Sequence, residues 1–218
     1  MGGVASCCRS GPCEQVFKPR HARRSLERYR KRGLDEIGRE LVAAALAVGV
    51  EGGRVLELGG GVGAIQAELL LAGAASGEVV ELVAAYEPYA RELVEQLGVA
   101  ERTRFRVADV LAEQEAVEPA DVVVLNRVVC CSPDGVELTA AAARLARRAL
   151  LLSYPRETWW VRATIGVLNA GLRLARRSFR VFVHPPAALE SAAARAGLAL
   201  ERRGGGRFWE LACFVRAA

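Results

Sequence analysis

Between residues 54 and 153 the chain passes five times from a loop into a short apolar run and then into a helix-like stretch, which confines it to α/β architectures. Arg54–Leu58 (RVLEL), Glu78–Leu82 (EVVEL), Thr103–Ala108 (TRFRVA), Asp121–Leu125 (DVVVL) and Leu150–Ser153 have the length of strands. DVVVL is apolar at nearly every position, as a strand covered on both faces must be. Between and after them, Ala64–Leu71, Tyr89–Leu97, Trp159–Arg177 and Pro186–Ala196 read as helices, and Ser132-Pro133-Asp134 is a start signal for another running to about Arg148. Ahead of them, Ala22 to about Val48 is helical and divides at Gly33. Leu198–Arg203, Gly204-Gly205-Gly206 and Phe208–Val215 close the chain as an antiparallel hairpin. The expected fold is a doubly wound, mainly parallel seven-stranded α/β sheet with a C-terminal antiparallel hairpin. Residues 1–48 form an N-terminal arm and leading helices, and 49–218 the binding domain, in one globular unit.

Bulk properties narrow the class. A chain of 218 residues, 52% hydrophobic, is long enough for one sizeable core and too apolar to be disordered. No run of eighteen apolar residues lacks a charge, and Met1 to Ser10 lacks the layout of a secretory signal, so a cytoplasmic protein is expected. The net charge of +5 rests almost wholly on arginine, Lys18 and Lys31 being the only lysines. That skew follows GC-rich coding, and no nucleic-acid partner is expected from it. Cys7, Cys8 and Cys13 cluster near the N-terminus, Cys130 and Cys131 are adjacent, and Cys213 stands in an apolar run. None forms a CxxC pair, so no metal site is expected. Small buried thiols account for them better than a soft-metal cluster does.

Ligands of doubly wound sheets bind beyond the carboxyl ends of the strands. At the first such end stands Glu57-Leu58-Gly59-Gly60-Gly61-Val62-Gly63, where glycines let the backbone turn sharply and approach a ligand. Gly59, Gly61 and Ala64 also satisfy the dinucleotide pattern, so the loop alone leaves a nicotinamide cofactor open. The acids shift the balance. Glu57 precedes the glycines, Glu81 closes the second strand eighteen residues after Gly63, and Asp109 closes the third. Three carboxylates at successive strand ends suit an adenosine bearing a positive charge and no phosphate: one for the charged tail, one for the ribose hydroxyls, one for the adenine amine.

The ordered set VLELGGGVG, VEL, VADV and ADVVVLNRVV resembles that of class I S-adenosylmethionine (SAM)-dependent methyltransferases from Arg54 to the C-terminus. The resemblance implies a Rossmann-like fold, SAM as cofactor, and cofactor contacts at Glu57, Gly59, Gly61, Gly63, Glu81, Asp109 and Asn126. YRKRGLD, NRVVCCSPD, SYPR and FVHPP look closest to magnesium-protoporphyrin-type O-methyltransferases and to uncharacterised bacterial relatives of that group. Cys130 and Cys131 stand where the porphyrin enzymes place a histidine, and Asn126 where close relatives often carry an aspartate.

Methyl transfer from a sulfonium is an in-line displacement, so alignment and exclusion of water matter more than a base. The expected activity is methylation of a small-molecule acceptor at oxygen. RNA methylation and a SAM-fold binding protein without turnover are the rivals. Tyr29, Tyr154, Arg156 and His184 are the candidate catalytic residues, with Arg127, Cys130 and Cys131 also on the acceptor side. Trp159-Trp160 with Arg162, Arg173, Arg176 and Arg177 form a basic amphipathic stretch, expected as a lid over the acceptor, with a membrane surface as the other reading.

Overall fold

The computed structural model describes Cys13 and residues 16–216. Two helices, α1 (Pro19–Arg32) and α2 (Glu36–Ala47), lead into β1 (Arg54–Leu58), α3 (Ala64–Leu71), β2 (Ser76–Glu81), α4 (Glu87–Gln96) and β3 (Thr103–Val107). The second half runs β4 (Ala120–Asn126), α5 (Gly135–Leu145), β5 (Ala146–Pro155), α6 (Trp159–Leu174), α7 (Pro186–Arg195), β6 (Leu198–Gly204) and β7 (Trp209–Arg216). The seven strands form one sheet in the order β3-β2-β1-β4-β5-β7-β6. β1 to β5 pair in parallel, and β7 inserts antiparallel between β5 and β6. Strand order reverses between β1 and β4, which opens a crevice above their carboxyl ends.

Strand parity sets the two faces. Val122 and Val124 of β4 pack with Val55, Ala149 and Leu151 under α2 and α3, through Ile37, Leu41, Ile65 and Leu69. Val123 and Leu125 turn the other way, onto Leu56, Leu58, Leu150 and Leu152 under α5 and α7, through Leu138, Ala142, Leu189 and Ala193. Each of these β4 side chains is wholly buried, worth about 1.5–3 kcal/mol apiece. A third cluster joins Ala22 and Leu26 of α1 to Leu93 of α4, Val83, Tyr86 and Phe179, which brings α1 over the crevice end of the sheet.

The boundaries differ from expectation where pairing overrides local pattern. The helix from Asp134 stops at Leu145 instead of Arg148, because Ala146 already pairs with Ala120 of β4 and Arg147 and Arg148 are carried into β5. Its N-cap is Asp134, two residues beyond the Ser132 of the start signal. α6 ends a turn early, at Leu174. Among the described residues no helix is long and apolar enough to cross a membrane.

Candidate functional site

The loop from β1 to α3 is built on three left-handed residues, Gly59, Gly61 and Gly63, with φ of +64°, +58° and +72°. Side chains are excluded there for a second reason. A Cβ on Gly59 would stand 2.7 Å from Val128, and one on Gly63 2.8 Å from Val79. The backbone thus lies close against β2 and the loop after β4, and Gly59 and Gly61 face a cavity of about 410 Å³. That volume is within the roughly 300–1,000 Å³ of small-molecule pockets.

Glu81, at the end of β2, reaches into this cavity. Its Oε2 accepts from the Gly61 N–H at 2.8 Å and its Oε1 from the Val83 N–H at 3.0 Å, so it ties the glycine loop to its own strand end. Burial pushes its carboxyl pKa up, and the backbone donors from Gly61, Val83 and Leu82 oppose that rise. Asp109, beyond β3, lines the same cavity and is held by the Leu111 N–H on Oδ1 at 3.0 Å. Leu82, Val110 and Leu111 give the wall between these two acids an apolar character. Asn126 ends β4; Ser153 Oγ donates to its Oδ1 at 2.7 Å and accepts from the Arg127 N–H at 2.9 Å.

Glu57 does not line the cavity. It is buried under the glycine loop, where its Oε2 accepts from the Gln66 N–H at 3.0 Å and a Cβ on Gly60 would stand 2.7 Å from its carboxyl carbon. Burial raises its pKa to about 8, against the Gln66 hydrogen bond and helped by the nearby Glu81 charge. A third carboxylate on the cavity comes instead from Asp134, which the sequence marks only as a helix start. Gly63 also stays off the cavity, packed against β2.

Phe17, Ser25, Tyr86 and Asp134 are among the lining residues to which the sequence analysis gave no place in the site. Tyr86 flanks Gly61, its ring 3.3 Å from where a Cβ would be, and burial first, then Glu81, lifts its phenol to about 12. The signal for it was an aromatic in the loop after β2. Phe17 and Ser25 belong to the α1 region, and nothing local in the sequence announces which face of that helix closes the pocket.

None of the four catalytic candidates lines the cavity. Tyr29 Oη donates to Glu68 Oε1 at 2.7 Å, pinning α1 to α3; burial and that carboxylate hold its phenol neutral. Tyr154 Oη donates to Glu210 Oε1 at 3.1 Å, and Arg156 pairs with Glu210 Oε2 at 3.0 Å while donating to the Gly206 carbonyl. Arg203 completes that cluster on Glu210, which ties β5 to the hairpin. His184 Nε2 lies 3.0 Å from the Val129 carbonyl and 2.9 Å from that of Ser132, so it braces the loop after β4. The tryptophan helix α6, expected as a lid over the acceptor, contributes no residue to the wall of this cavity.

Arg127 and two of the cysteines do stand near the site. Arg127 holds a positive φ of 61°, lines the cavity, pairs with Asp35 Oδ2 at 2.6 Å and stacks its guanidinium 4.9 Å from the Trp209 ring centre. Cys13 and Cys131 line the cavity, whereas Cys130 is buried beside it with Sγ 3.4 Å from the Arg127 carbonyl. Cys7 and Cys8 lie outside the described residues. Among the described residues no group of three or more His, Cys, Asp or Glu side chains is placed to hold a metal ion.

The cavity wall thus carries three carboxylates, Glu81, Asp109 and Asp134, and among the described residues one cation, Arg127, already paired with Asp35. A glycine cradle with that charge suits a nucleoside with a cationic tail, and it offers a pyrophosphate little.

Comparison with known proteins agrees. The profile of a family described as "Methyltransferase domain" matches residues 26–202, and the chain belongs to that family. Among curated protein sequences none matches. The solved structure of magnesium protoporphyrin IX methyltransferase from Synechocystis PCC 6803 with bound SAH superposes with a TM-score of 0.69 at 21% identity, over 93% of this chain and 89% of that one. An O-methyltransferase family protein from Burkholderia thailandensis gives 0.69 at 19% identity, over 98% of this chain and 64% of that one. An O-methyltransferase family 2 protein from Planctomyces limnophilus in complex with apigenin gives 0.64 at 18%, over 93% and 62%. The chain is a SAM-dependent methyltransferase with a Rossmann-like fold.

Proposed function

We propose that this methyltransferase transfers the methyl group of SAM to an oxygen of a small, acidic acceptor, by in-line displacement. The observation that carries the cofactor half is the meeting of Gly59, Gly61, Glu81 and Asp109 on one cavity. Glu81 accepts from the ribose hydroxyls with the lone pairs that Gly61 and Val83 leave open. Asp109 takes the adenine amine with its second oxygen, between Leu82 and Leu111. Asn126 Oδ1 is occupied by Ser153, so its Nδ2 is the donor it offers the ligand. Bound SAM supplies an activated methyl on a sulfonium, whose positive charge favours a wall rich in carboxylates.

The acceptor half rests on where the bases are. His184 and Tyr154 are held by backbone carbonyls and by Glu210, away from the cavity. An acceptor that arrives already ionised, such as a carboxylate or an acidic hydroxyl, needs no protein base. What the chain must then do is align it and exclude water. Phe17, Val128 and Leu138 provide apolar surface for that, with Cys13 and Ser25 closing the α1 side. The neighbours named for O-methylation and for magnesium protoporphyrin IX, and the one holding apigenin, support a small-molecule oxygen acceptor.

The test has two stages. Titration calorimetry with S-adenosylhomocysteine should give micromolar or tighter binding that Glu81→Ala weakens strongly. Incubation with methyl-labelled SAM, a small-metabolite extract and total RNA should then put label into small-molecule ethers or base-labile esters. Label appearing only in RNA would overturn the reading.

A further inference from the structure

The helix α6 has two apolar faces, and the fold uses one. Val161 and Ile165 are its buried residues. On the opposite side, at helical spacing, stand Trp159, Ala163, Gly166, Val167, Ala170 and Leu174. All six are exposed; Trp159 is 82% accessible, Val167 75% and Leu174 88%. No acid or amide interrupts this face, which is rare on a surface helix. Charge gathers around it with one sign. From Thr158 to Leu189 the chain has five arginines (Arg162, Arg173, Arg176, Arg177 and Arg180) and no Asp or Glu. Of these Arg162 pairs with Glu157 at the helix start, Arg180 donates to the carbonyls of Arg177 and Phe179, and Arg173 and Arg176 are exposed. A second basic row lies on α1, where Arg20, Arg24, Arg28 and Lys31 fall at i, i+4, i+8 and i+11, all exposed and in no ion pair among the described residues. The two helices converge: Phe179 lies in one cluster with Ala22 and Leu26 of α1, and Leu172 of α6 packs on it.

We propose that the outward face of α6 docks on an anionic lipid surface, with Trp159, Val167 and Leu174 entering the headgroup boundary and Arg173 and Arg176 meeting lipid phosphates. A second copy of this chain fits less well, since pairing α6 with α6 would set five arginines against five. The docked helix connects to the catalytic cavity by a short path: Phe179, just beyond α6, packs edge-on against Phe17 with ring centres 5.5 Å apart, and Phe17 lines the cavity. Asn169 of α6 clamps the same segment through both the N–H and the carbonyl of Val181. An amphiphilic acceptor held in the bilayer would therefore meet the enzyme on the side where α1 closes the pocket.

The full-length protein is floated with vesicles of phosphatidylcholine alone and with vesicles containing phosphatidylglycerol. Retention is expected on the anionic vesicles only, falling as salt is raised. The double variant Trp159→Ser/Leu174→Ser should bind at least tenfold more weakly, and Arg173→Gln/Arg176→Gln on the order of tenfold. Both pairs are on the surface, so S-adenosylhomocysteine binding should not move, and vesicle binding is read without any methyl transfer. No retention, retention equal on neutral vesicles, variants that float like the parent, RNA that displaces the vesicles at equal charge, or a solution dimer that Trp159→Ser dissolves would each overturn the proposal.

Discussion

The buried carboxyl of Glu57 offers a direct measure of how tightly the glycine loop is packed. It sits at 2% exposure beneath Gly60, with one backbone donor, Gln66 N–H. Folded, its pKa is about 8 against an ordinary 4.5, and burial is the main cause. Between those two values the unfolded chain gives up a proton that the folded chain keeps. Stability therefore falls as pH rises through that window, by about 1.4 kcal/mol per pH unit, and levels off above pH ~8. Over the whole window this sums to at most about 5 kcal/mol. Glu57→Gln removes the proton and keeps the shape, and its Oε1 can still accept from Gln66. Glu81 is common to both proteins and largely cancels from their difference. Urea unfolding of parent and variant at intervals from pH 5 to pH 9 should therefore show the variant gaining several kcal/mol relative to the parent. S-adenosylhomocysteine affinity, measured at pH 7, should change by less than about threefold, because the carboxyl is behind the loop and not on the cavity. Parallel stability profiles would refute the buried, proton-holding carboxyl. A large loss of affinity would instead return Glu57 to the direct ligand role that its place in the sequence implied.

Glu81→Ala removes the acceptor of the Gly61 and Val83 N–H groups together with the proposed ribose partner. S-adenosylhomocysteine affinity by calorimetry should drop about 100-fold, near 3 kcal/mol. Gly59→Ala places a methyl 2.7 Å from Val128 on a residue with φ of +64°, at a cost of roughly 1–3 kcal/mol, and both melting temperature and ligand affinity should fall. Tyr154→Phe removes one hydrogen bond to Glu210 and should lower stability by about 1 kcal/mol in urea titration, with KM for SAM and kcat within twofold of the parent. A kcat that collapsed while stability held would put Tyr154 back in the catalytic machinery.

The order of strands and the glycine loop were readable because they are written in local pattern: DVVVL can only be a strand covered twice, and GGGVG can only be a tight turn against a ligand or a neighbour. Which acids face the cavity was harder, though parity and register held part of the answer. Glu57 alternates with Leu56 and Leu58, which face α5 and α7, so it must point toward α3. Register then separates it from Glu81. Glu57 pairs with Val79, so Glu81 stands two residues farther along the sheet, roughly 6–7 Å, enough to clear the loop that covers Glu57. Tyr154 shows the other kind of difficulty. It faces Glu210, its direct partner across the antiparallel β5–β7 ladder, and no feature near residue 154 says that a strand from 56 residues later will supply an acid at that rung. The same holds for His184, whose Nε2 faces two carbonyls of a loop some fifty residues upstream. A polar side chain at a strand end is therefore drawn into the frame or left at the crevice according to what later elements bring beside it. Asp109 and Asn126 line the crevice cavity, Asn126 with its Oδ1 taken by Ser153 of β5, whereas the Tyr154 hydroxyl is turned to Glu210 and His184 Nε2 to the carbonyls of Val129 and Ser132.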